Sequence, residues 1–170
     1  MIRSLLRRMI DRTEKRLGAP ADEARYMLDH SPGSFLAFST VQTWVHRHKA
    51  VPIEVYFTAK IAAYHEEDCG TCLQIAVNLA LKSGVDRQLV RNLAQGREEL
   101  LPSELRDVYR FAAKQANRID DEELRQRMIA RYGDEGLIEL ALAIASARMF
   151  PAFKRTVGYA KSSSLVRVVA

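Results

Sequence analysis

The chain has 170 residues, 48% of them hydrophobic, and a net charge of +5, with 8 Gly, 5 Pro and 2 Cys. That is enough for one well-filled core and too little for two independent domains, and two cysteines make no disulfide framework. The longest apolar run, Leu140 to Ala147, is interrupted by Ser146 and bounded by Glu139 and Arg148. It falls short of the roughly 18 to 20 residues a bilayer span needs, so no membrane partner is expected. The first residues show no apolar signal region, so a soluble protein of the reducing cytoplasm is expected.

The predicted fold class is all-α, because no stretch alternates with period two between turn signals. From Ile2 to Leu17 apolar residues recur at three and four, which predicts an amphipathic helix. Six Arg or Lys fall in the first sixteen residues, against Asp11 and Glu14. A short basic face of this kind reads as solvated or as paired with acids on a neighbour, and nucleic acid is not an expected partner. A short helix from Ala21 to Asp29 follows the Gly18 and Pro20 break, and Ser34 opens another to about Lys49, striped by Phe35, Phe38, Val41, Trp44 and Val45. His46 and His48 lie two apart on that helix, about 200° around it from each other, and cannot chelate one metal together.

Pro52 starts a helix to about Glu67, with Ile53, Phe57, Ile61 and Tyr64 on one face. Asp68 reads as the N-cap of the next, Cys69 to Ser83, which places Cys69 in its first turn. Asp86 caps a helix to Gln95, and Pro102-Ser103 starts one reaching Arg118. Asp120 and Glu123 read as a capping box for Asp121 to Tyr132. After Gly133, the run Gly136 to Phe150 is apolar at nearly every position and is expected at the centre of the core until Pro151 kinks or ends it. The domain reading is one helical unit: 1–51 an N-terminal extension, 52–160 a core, 161–170 a tail.

The candidate site is Cys69-Gly70-Thr71-Cys72, which can close a small disulfide or supply half of a metal site. A helix start favours thiolate by about 0.3 to 1 kcal/mol, less than one pH unit, and Glu66, Glu67 and Asp68 oppose it unless a cation from elsewhere lies close. His65, one turn before Cys69, is the candidate proton acceptor, with packing at a helix end as its alternative role. A structural zinc needs a second ligand pair that this chain lacks, so neither metal nor cofactor is expected.

Over about 52–159 the chain resembles the carboxymuconolactone decarboxylase and alkylhydroperoxidase-D-like proteins. The resemblance rests on Cys69-Gly70-Thr71-Cys72 after a helix, the Gly84-Val85 break, Arg110-Phe111-Ala112, Leu137-Ile138-Glu139-Leu140, and Phe150-Pro151-Ala152-Phe153-Lys154-Arg155 running to Gly158. It implies a helical bundle that forms homo-oligomers, trimers or larger. In the thiol-active members the second cysteine attacks a peroxide, the first resolves it as a disulfide, and a dithiol reductant or redox partner protein restores both. Cys72 and Cys69 take those roles here. The members' relay Glu and His positions hold Phe57 and Ala76, with Glu54 and His65 as neighbouring substitutes. The reading is a thiol–disulfide redox protein with weak alkylhydroperoxidase-like activity on small peroxides. The alternative is a non-catalytic oligomeric binding or scaffold protein with a degenerate site and two packed cysteines.

Overall fold

The computed structural model describes residues 2–45 and 48–160. Among them the chain is all-α: α1 (Ile2–Leu17), α2 (Asp22–His30), α3 (Pro32–Val45), α4 (Ile53–Glu66), α5 (Gly70–Lys82), α6 (Arg87–Ala94), α7 (Ser103–Ala116) and α8 (Glu122–Thr156), with a 3-10 turn at Glu98–Leu100. The tail 161–170 and His46 fall outside the described residues. Helix α3 runs to Val45 and Lys49 is not helical, so His48 leaves the predicted helix and stacks on Tyr56 with ring centroids 4.5 Å apart.

The central helix is α4. Every residue from Val55 to Tyr64 is buried, and Ala59, Ala62 and Ala63 let α5, α7 and α8 approach its backbone closely. A helix without a polar face is stable only when surrounded. Gly136–Phe150, predicted for that place, instead lies on the outside of α4, with Ile138 60% and Leu142 41% exposed. Composition alone misled, because α8 buries only the side carrying Leu140, Ala143, Ile144 and Ala147.

Three local expectations also change. Gly133 breaks α8 at φ 68° and ψ 179°, but Pro151 does not end it. The turn beyond Pro151 is held from outside: Phe153 packs on Phe38 at 4.9 Å, and Lys154 pairs with Glu23 at 3.0 Å. The cap of α8 is Asp121, which accepts from the Leu124 amide at 2.9 Å, while Glu123 pairs with Arg127 and closes no capping box. Helix α8 also exceeds the apolar run seen in the sequence. It is long and apolar enough to cross a membrane by length and composition, with a mean hydropathy of 1.4 over its best 18 residues, of which 44% are buried.

The core falls into two clusters. The larger runs from Val51 to Ala147 around α4. The smaller joins Leu6, Ile10, Met27, Leu28 and Phe35 of the first three helices, with Phe38 and Phe153 against it. Between the two clusters, the linker into α4 is fixed by Glu139, whose carboxylate accepts the amides of Lys49, Ala50 and Val51 at 2.5, 2.8 and 3.0 Å. Charge-assisted bonds to otherwise unpaired N–H groups are among the stronger local contacts. Glu139→Ala is therefore expected to lower unfolding stability by about 2 to 3 kcal/mol in urea titration. A loss below about 0.5 kcal/mol would show that the linker is held by packing alone.

Candidate functional site

The site is the corner between α4 and α5. Helix α4 ends at Glu66, and Asp68 takes a left-handed conformation, φ 45°, which Asp tolerates better than most residues. Because Asp68 is used in the turn, it does not cap α5. Cys69 occupies the N-cap position instead, and its carbonyl accepts the first helical bond from the Leu73 amide at 2.9 Å. Cys72 lies in the first turn. The two are joined as a disulfide with Cα atoms 5.3 Å apart.

The acid two residues before Cys69 is paired with cations from α8. Glu67, two residues before Cys69, is gripped by Arg148 through Nε at 3.2 Å and by Arg155, whose guanidinium donates to both the Glu67 carbonyl, at 2.6 Å, and its carboxylate. Its side chain is 12% exposed, so these pairs are screened less than surface ones. Eighty or more residues separate the partners, which is why local sequence could not pair them.

Both cysteines are buried, Cys69 at 0% and Cys72 at 2% exposure. The sequence reading needs sulfurs open to a small oxidant, and in this oxidised state they are covered. A shallow surface pocket reaches one of the two residues between them: Thr71 lines it together with Pro20, Glu23, Lys154 and Tyr159, while neither cysteine does. The Lys154–Glu23 pair in its wall ties α2 to the end of α8. Helix α1 is tied to α5 as well, where the Leu17 carbonyl accepts from Asn78 at 2.7 Å.

His65 is half-buried at the end of α4. Its Nε2 donates to the Leu93 carbonyl at 2.8 Å, the arrangement of a tether between the ends of α4 and α6. Phe57 and Ala76, at the relay positions of the resembled proteins, are buried in the core, and Glu54 is exposed on the first turn of α4. Among the described residues no three His, Cys, Asp or Glu side chains gather where they could hold a metal ion.

The group that sequence reading missed is Lys60. It is 2% exposed in the middle of α4, and its Nζ donates to Ser146 Oγ of α8 at 3.0 Å and to Tyr56 Oη at 3.2 Å. Burial lowers its pKa to about 7, and burial likewise pushes the phenols of Tyr56 and Tyr64 up. No pattern in the sequence marks it: a lysine one turn from Tyr56 and one from Tyr64 looks like any amphipathic position.

Compared with family models, curated proteins and solved structures, the chain matches none of them.

Lysine 60 and His65 each give a measurable expectation. Between about pH 7 and 10.5 the unfolded chain holds the Lys60 proton and the folded chain does not, so stability rises with pH across that window. At pH 7 the amine withholds roughly 4 kcal/mol. Lys60→Met is expected to stabilise by roughly 2 to 4 kcal/mol at pH 7, allowing for its lost hydrogen bonds, and by under about 1 kcal/mol at pH 10. Equal gains at both values would refute the burial of a titrating amine. For His65→Ala the expectation is a loss of about 1 kcal/mol with an unchanged rate of disulfide reduction. A rate lowered tenfold or more would support the proton-transfer role for His65.

Proposed function

We propose that the protein is a thiol–disulfide redox protein of alkylhydroperoxidase-D-like type, working through the Cys69–Cys72 pair in the cytoplasm. The observation that carries this reading is the pair itself, at disulfide distance across one turn at the start of α5. As a staple it does little: closing a four-residue loop contributes roughly 2 kcal/mol, against roughly 3 for a loop of fifteen. It also lies where three elements already pack, so stability gives a weak reason for placing two cysteines here.

The chemistry follows from position. Once reduced, the amides of the first turn of α5 and its dipole favour thiolate at both sulfurs. The Cys72 thiolate attacks the outer oxygen of a peroxide ROOH, the O–O bond breaks, and ROH leaves after taking a proton. Cys69 then attacks the sulfenic sulfur of Cys72, forming the disulfide and releasing water. A dithiol reductant restores the pair by two exchange steps, ending as its own disulfide. With the sulfurs covered, each step requires a local opening, and the Thr71 pocket is where it begins: parting Lys154 from Glu23 loosens α2 and the last turns of α8 together.

A second reading has one observation in its favour. The burial of both cysteines suits a non-catalytic binding or scaffold protein in which the pair only packs.

Peroxide consumption with a dithiol reductant separates the two. The redox reading expects turnover that Cys72→Ser abolishes; turnover equal to wild type in that variant, or none in the wild-type protein, sinks it. Glu23→Gln leaves the buried Lys154 ammonium without its counter-charge and is expected to raise the rate of disulfide reduction tenfold or more. An unchanged rate would mean that opening proceeds through some other face.

A further inference from the structure

Helix α1 gathers its unpaired charge on one side. Leu5, Arg8, Met9, Arg12, Lys15 and Arg16 recur at three and four residues, so they share one face, and all six are exposed. Another side of the helix holds Leu6 and Ile10 in the smaller core cluster, and at its end the Leu17 carbonyl accepts from Asn78 of α5 at 2.7 Å. The helix is thus fixed to the body with the charged face turned outward.

Acids of α1 and α2 that could neutralise this face are engaged by other cations. Asp11, Glu14 and Asp22 all pair with Arg25, Asp29 pairs with Arg7, and Glu23 pairs with Lys154. Among the described residues no acid pairs with Arg8, Arg12, Lys15 or Arg16. These four cations surround two bare apolar side chains, Leu5 at 54% and Met9 at 52% exposure.

That mixture selects the occupant. Single-stranded nucleic acid is held by aromatic side chains set between cations, and α1 has none. A duplex is gripped through its phosphates, where Leu5 and Met9 would meet nothing apolar. An anionic bilayer offers both partners at once, phosphate headgroups for the cations and, just below them, acyl chains within reach of Leu5 and Met9. Attachment of this kind lies on the surface and needs no spanning helix. We propose that the Leu5–Arg16 face of α1 docks on the headgroup layer of a bilayer rich in anionic phospholipid, whatever the chemistry of the cysteine pair.

Cosedimentation of the full chain with lipid vesicles tests it. At about 0.1 M salt, wild type is expected to pellet with vesicles of phosphatidylglycerol and phosphatidylcholine in equal parts, and to stay in solution with phosphatidylcholine alone. Each cation at an anionic surface is worth about fivefold in partitioning, so Arg8→Glu with Arg12→Glu is expected to weaken binding at least about twentyfold. Leu5→Ser with Met9→Ser keeps the charge and is expected to weaken it about tenfold. Far-UV circular dichroism checks that both variants keep their helices, and raising the salt to about 0.5 M, which is expected to release wild type, repeats the charge test without any substitution. The proposal is overturned if wild type binds neither kind of vesicle, or if either folded double variant or the added salt leaves binding unchanged. It is equally overturned if a DNA duplex at equal phosphate concentration strips the protein from the vesicles.

Discussion

The structure depends on one carboxylate. Glu67 sits in the three-residue corner between α4 and α5, and Arg148 and Arg155 of α8 reach it from the far end of the chain. Without that grip, three acids in a row before Cys69 would repel one another and oppose any thiolate nearby. With it, the corner closes, Asp68 adopts its left-handed turn, and Cys69 is delivered to the N-cap of α5 within reach of Cys72. The same two turns of α8 hold Glu23 through Lys154, so one helix end secures both the cysteine loop and the layer of helices lying beside it.

This arrangement bears on the conflict between the proposed thiol chemistry and the burial of the cysteine pair. Helices α1 and α8 both pack on α5, and beside its first turn the Thr71 pocket is walled by the polar pair Lys154 and Glu23. Polar contacts at an edge open at lower free energy than the apolar contacts around α4, where residue after residue has no exposure at all. A site can therefore be closed on average and still be visited through a local opening. Lys60 contrasts with this edge: it lies in the fully buried stretch of α4, bonded to Ser146 of α8, and costs stability there.

How much the sequence disclosed varies with the range of the forces involved. Helix existence was legible throughout, because periodicity and breakers such as Gly18, Asp86 and Pro102 act locally. Boundaries shifted where two local candidates competed, as with Asp68 and Cys69 or Asp120 and Asp121, and tertiary contact decided between them. The identity of the central helix was misread, because apolar content does not distinguish a helix covered on all sides from one whose apolar stripe faces outward; Ile138 and Leu142 look like core until α4 is seen in their place. The cysteine pair was legible from spacing alone. The cations paired with Glu67, the bond from His65 to Leu93 and the burial of Lys60 were not, since each joins positions far apart in the chain or depends on what surrounds a helix face.

The central claim is that Cys69–Cys72 reacts within the folded molecule through a local opening. The most direct measurement is the rate of its reduction by dithiothreitol as urea is raised through the range below the unfolding transition. Opening of the Thr71 edge exposes little surface, so the expected rate depends only shallowly on urea, well under half the slope of global unfolding, with native circular dichroism throughout. A slope equal to that of global unfolding would mean that the disulfide is reached only when the whole chain unfolds, and would rule out reaction within the folded molecule.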